Sequence, residues 1–190
     1  MGASRNPTTP AVRWRRTGAS TPRRRPRQDR AIAATGALLL PLDPALVRPP
    51  SAERVRLGGH WLRRKDEFHV TVLVRALGPQ LRALLDEPAL QMTLASLDWR
   101  VERLHEYDLL NKLKPSEHGA VACYSVIEHV RLPGMEALYD AIAARVPDFP
   151  PCPPPHVTHY VLGDTSGIGV PDAASLQAFR LRRVPEAELV

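Results

Sequence analysis

Cysteine is nearly missing from this chain. Cys123 and Cys152 are the only two, and neither belongs to a Cys-x-x-Cys pair. A disulfide framework, a structural zinc site and thioredoxin-like redox chemistry are therefore unsupported, and a reducing cytoplasm suits the chain. No apolar run approaches the length of a membrane span, so no membrane segment is expected. An export signal is incomplete: the apolar stretch Ala31 to Leu40 follows Arg-rich sequence, but no Ala-x-Ala site comes after it, and Pro41, Asp43 and Pro44 interrupt it. Lysine is scarce too. Only three of the 26 basic residues are Lys, and Ala and Pro are abundant, a bias in composition that weakens arginine richness as a sign of nucleic-acid binding.

The net charge of +6 is unevenly spread: residues 1–30 hold nine Arg and one Asp, which leaves the remainder at about −2. Residues 1–36 lack apolar periodicity and are dense in Arg, Pro, Ser and Thr, so they are expected to form a disordered tail capable of weak nucleic-acid contact. Residues 37–190 are expected to form one domain, most simply a monomer.

Within that domain Leu38 to Leu42 reads as a buried strand, Pro49 to Asp66 as a looser segment, and Phe68 to Val74 as a second strand. Pro79 to Leu97 has helical spacing split by Pro88. Strands are expected at Trp99 to His105, Val121 to Val130, His156 to Leu162 and Arg180 to Val184, with helices at Met135 to Arg145 and Asp172 to Phe179. Pro150 to Pro155, five prolines in six residues, must be extended and stiff. This order indicates a mixed α+β fold.

Two strands carry the same tripeptide, His69-Val70-Thr71 and His156-Val157-Thr158. Side chains two apart on a strand point to one face, so each motif projects an imidazole and a hydroxyl together while its valine goes to the other side. Cleaving a phosphodiester requires one group to take a proton from the attacking oxygen and another to give one to the leaving oxygen. Histidine does either near neutral pH, because its ordinary pKa is about 6.5. Thr71 and Thr158 suit the non-bridging oxygens, whose charge grows in the transition state.

In these two motifs the chain resembles the two-histidine phosphoesterases, which include bacterial 2′-5′ RNA ligase and cyclic phosphodiesterases and are defined by paired His-x-Thr/Ser motifs. The resemblance spans roughly residues 37–184. It implies two pseudo-symmetric lobes of antiparallel sheet flanked by helices, with a central groove that holds both motifs. It also implies a metal-independent phosphoesterase, without a cofactor, that hydrolyses 2′,3′-cyclic phosphate ends of RNA or related cyclic nucleotide phosphates. The implied roles are His69 and His156 as catalytic residues and Thr71 and Thr158 as phosphate-binding ones. Reversible 2′-5′ RNA ligation is the alternative on the same constellation, and a non-catalytic RNA-binding module is the alternative of another class. The residue after Thr158 is His159, where the family has an apolar residue, and alternation turns it away from the groove.

Strand alternation places Tyr160 on the face of His156 and Thr158, and Lys65 precedes the first motif, so both are candidate substrate contacts. His60, His105, His118 and His129 lack a partner pattern and are expected to be surface or locally hydrogen-bonded residues. His156 and His159 diverge on a strand, which argues against joint metal binding. Gly163 to Gly169 lacks the Lys-Ser/Thr of a phosphate loop and reads as a turn leaving the strand.

Overall fold

The computed structural model describes residues 36–190, apart from Leu85 and His118. The expected tail therefore lies outside the described residues, except for Gly36. The elements are β1 (Leu38–Leu42), α1 (Pro44–Val47), β2 (Arg54–Leu57), β3 (His60–Arg64), β4 (Phe68–Leu73), α2 (Gly78–Leu84) and α3 (Glu87–Ser96). They continue with β5 (Glu102–Ser116), β6 (Gly119–Arg131), α4 (Pro133–Ala143), β7 (His156–Leu162), α5 (Ala173–Phe179) and β8 (Arg180–Val184).

Local chemistry sets several of these boundaries. Pro88 sits in the first turn of α3, where its missing N–H costs nothing, and the Asp86 carboxylate caps that helix by accepting from the Ala89 amide at 2.8 Å. Asp172 caps α5 in the same way, accepting from the Ser175 amide at 2.6 Å. The expected loose segment at Pro49 to Asp66 instead contains the β2–β3 hairpin. Its two-residue turn, Gly58-Gly59, has both residues at positive φ, +56° and +84°, as the twist of the flanking strands demands. The strand expected at Trp99 to His105 begins only at Glu102 and runs on to Ser116; an irregularity between Arg103 and Tyr107, with His105 at φ +54°, breaks the expected alternation.

The fold is mixed α+β, and every strand pairing among the described residues is antiparallel. Six strands form one sheet in the order β2-β3-β7-β6-β5-β8, while β1 and β4 form a separate pair. The two motif strands thus belong to different sheets of unequal size. Strand β4 nevertheless runs beside β7, and a common core joins them. There Val70 of β4 and Val157 of β7 pack with Leu81, Leu90 and Leu138 of the helical layer, all five nearly inaccessible to solvent. At roughly 1.5–3 kcal/mol for each large aliphatic side chain removed from water, this shared core is what ties the small sheet to the large one.

Candidate active site

The shared core fixes the direction of the motif side chains. Phe68 of β4 meets His159 of β7 with ring centroids 5.6 Å apart, and Val70 and Val157 lie in the same cluster. With those residues turned inward on both strands, alternation brings His69, Thr71, His156 and Thr158 out on the opposite side. All four are half-buried. The positive charge that His69 can carry bears on His156, whose pKa it helps to depress.

His156 is oriented by the proline run before it. Its Nδ1 lies 2.9 Å from the Pro154 carbonyl oxygen, which can only accept, so Nδ1 carries the hydrogen and, in the neutral ring, Nε2 is the unprotonated nitrogen. Burial lowers the pKa of His156 most; the Pro154 hydrogen bond opposes this, and His129 and His69 lower it further. Burial also lowers His69, aided by the Lys65 ammonium and opposed by the Glu67 carboxylate. Both rings are therefore pushed toward the neutral form.

The charge of Lys65 bears on His69. The amide of Lys65 donates to the His159 carbonyl at 2.8 Å, which extends the β3–β7 ladder and sets its side chain near His69, Glu67 and Asp164. Burial pulls its own pKa below the ordinary lysine value, against those two carboxylates.

Tyr160 does not share the face of His156 and Thr158 as expected. The β6–β7 register pairs Val126 with Tyr160 but Ile127 with Thr158, so an extra residue bulges β7 at His159 and turns Tyr160 inward. Tyr160 is fully buried, and its hydroxyl donates to the Ala52 carbonyl at 2.8 Å. His159 does face the core, as alternation requires. Its Nε2 lies 2.8 Å from Glu128 Oε2, and Arg103 Nε approaches Glu128 Oε1 at 2.8 Å from the other side.

The Gly163 to Gly169 segment is a turn, with the Ser166 amide donating to Asp164 Oδ1 at 2.7 Å. It folds back over the end of β7. Lys114 ties it down through Asp164 Oδ2 at 2.5 Å and the Gly167 carbonyl at 2.7 Å, and Ser125 Oγ accepts from the Ile168 amide at 3.0 Å. Gly167, at φ +84°, passes so close to Thr158 that a Cβ there would lie 3.1 Å from Thr158 Cγ2 and 3.4 Å from its Oγ1. The turn is thus a wall beside the second motif hydroxyl.

Sequence reasoning missed His129 and Asp108. His129 pairs directly with His156 across β6 and β7, and paired residues share a face. Its Nε2 lies 2.8 Å from Oδ2 of Asp108, a fully buried carboxylate, with Arg180 Nη1 3.6 Å from the same oxygen. The other carboxylate oxygen of Asp108 has no hydrogen-bond partner among the described residues. No local motif marks this pair, because it depends on which strand lies beside β7. Among the described residues no group of three or more His, Cys, Asp or Glu side chains is arranged to hold a metal ion.

No protein-family model, curated protein or solved structure matches the chain.

Proposed function

We propose that the chain is a phosphoesterase of the two-histidine type, acting without a metal on 2′,3′-cyclic phosphate ends of RNA or on related cyclic nucleotide phosphates. What supports this reading is that two His-Val-Thr strands from separate sheets run side by side with both valines in one shared core, so that alternation turns the imidazoles and hydroxyls of both to the face away from it. In this reading the two sheets are the cores of two lobes, and the phosphate sits in the groove between β4 and β7.

The chemistry then runs as an in-line displacement. One imidazole takes a proton from water as its oxygen bonds to phosphorus. The bond from phosphorus to one ribose oxygen breaks, and the second imidazole, charged beforehand, gives its proton to that oxygen. The product is a phosphomonoester with a free neighbouring hydroxyl, and the proton balance of the two rings is restored by exchange with solvent. Thr71 and Thr158 donate to the non-bridging oxygens, and Lys65 adds positive charge beside them. His129, held by Asp108, contributes to the field at His156.

The test is incubation of the purified protein with 2′,3′-cyclic nucleotides, cyclic-phosphate-ended RNA and 2′-5′-linked dinucleotides, with and without chelator. Ring opening that survives the chelator is the expected result. Conversion of none of these substrates, or turnover that chelation abolishes and a divalent ion restores, overturns the reading.

A further inference from the structure

We propose that the outer face of the β2–β3 hairpin is a docking platform for a single-stranded polynucleotide whose reacting end lies at the two histidines. This rests on reading the histidine site as a phosphodiester site.

The hairpin continues the site face. Residues paired across strands share a face, and so do residues two apart on one strand. Thr158 pairs with Ile127, and Val161 pairs with both Ser125 and Arg63, so Arg63 lies on the side of the sheet that carries Thr158. Trp61 and Lys65 follow from Arg63 by alternation. Arg56 pairs with Trp61 and Arg54 with Arg63, which brings two further guanidinium groups to the same face. The opposite face takes Val55, Leu57 and Leu62 into the core, so the register is fixed.

The resulting surface has four cations and one aromatic ring. Trp61 is 59% exposed, a large apolar side chain left mostly open among the described residues. Arg54 and Arg56 are exposed and make no ion pair among the described residues. Arg63 pairs with Asp66 at 3.3 Å, but both side chains are mostly in water and the pair can be exchanged for a phosphate. Beside them a cleft of about 280 Å³ is lined by Arg54, Arg63 and Arg64 together with Glu53 and Asp66.

Spacing and chemistry favour a nucleic acid over other anions. Successive residues on one face of a strand are about 7 Å apart, comparable to neighbouring phosphates of an extended polynucleotide. From Lys65 to Trp61 the strand covers roughly 13 Å, room for about two nucleotides beyond the reacting one. Arginine forks grip phosphate, and an exposed indole gives a base a stacking surface, so the two together match a polynucleotide's alternation of phosphate and base. On a strand with this geometry, cyclic-phosphate-ended RNA is held by its body while its end reacts.

The experiment uses the full chain, with Arg54→Gln/Arg56→Gln and Trp61→Ala variants whose circular dichroism matches the unaltered protein. Binding of a labelled short single-stranded RNA is followed by anisotropy against salt, and turnover is compared on cyclic-phosphate-ended RNA and on a 2′,3′-cyclic mononucleotide. Each variant is expected to weaken RNA binding and raise KM for the RNA about tenfold or more, with turnover of the mononucleotide unchanged. The double arginine variant should also reduce the salt slope by about 1 to 1.5. Unchanged RNA affinity and slope, an equal loss on the mononucleotide, or displacement of the RNA by poly-glutamate or anionic vesicles at matched charge overturns the platform. If the unaltered protein converts neither substrate, the phosphoesterase reading falls while the anisotropy still decides the platform.

Discussion

At the scale of single residues, the proposed reaction depends on how neighbours set the protonation of two imidazoles. Burial lowers the pKa of both His69 and His156, so the rate profile should be a bell lying to the acid side of that expected for histidines near about 6.5. Lys65 adds to the depression of His69. Removing that cation with Lys65→Met lets the His69 pKa rise, so the limb of the profile that His69 governs should move to higher pH. A shift of the acid limb makes His69 the base, and a shift of the alkaline limb makes it the acid. Two unmoved limbs would show that the ammonium does not reach the ring. Thr71→Ala and Thr158→Ala should each lower turnover by roughly tenfold to a thousandfold, the range for a deleted transition-state donor. Steady-state kinetics on a cyclic nucleotide measures both.

Individual elements explain why part of this was legible in the sequence and part was not. The His-Val-Thr repeat, the proline in the first turn of α3 and the stiff run before β7 are local signals, and each lies where alternation or proline chemistry places it. The β2–β3 hairpin lies in the segment expected to be loose, although Arg54-Val55-Arg56-Leu57 and His60-Trp61-Leu62-Arg63 alternate around Gly58-Gly59. The bulge at His159 was not legible. It arises from the partner strand's register, and it converts Tyr160 from an expected groove residue into a core one. His129 and Asp108 were hidden for the same reason, because strand order is a long-range property.

The elements carry their own predictions. Gly167→Ala should keep the fold but lower turnover, because the new methyl group meets Thr158 and the backbone sits in the left-handed region; unchanged turnover would show that the turn does not bear on the second motif. Glu128 joins β5, β6 and β7 through Arg103 and His159. Burial by itself raises the Glu128 pKa, but the hydrogen bonds from His159 and Arg103 outweigh it and hold the carboxyl below its ordinary value. The contribution of Glu128 to stability is therefore complete above the ordinary carboxylate range and is lost as pH falls through the lowered value. Glu128→Ala should cost about 3–5 kcal/mol in denaturant unfolding, the loss expected when buried charges are left without their partner. A cost under about 1 kcal/mol would mean the network is not a structural tie.

At the scale of the whole molecule, the proposed catalytic unit is divided between two sheets. Strand β4 of the two-stranded sheet brings His69, strand β7 of the six-stranded sheet brings His156, and the core containing Val70 and Val157 holds them in one body. Residues that act as one unit lose activity together, so their individual losses do not add. The direct measurement is turnover of a 2′,3′-cyclic nucleotide by His69→Ala, His156→Ala and the double variant, each shown to be folded. Each single change is predicted to remove most of the activity, and the double variant to be little worse than either. Near-normal turnover in one single variant, or losses that multiply in the double variant, would contradict a shared phosphate between the two histidines.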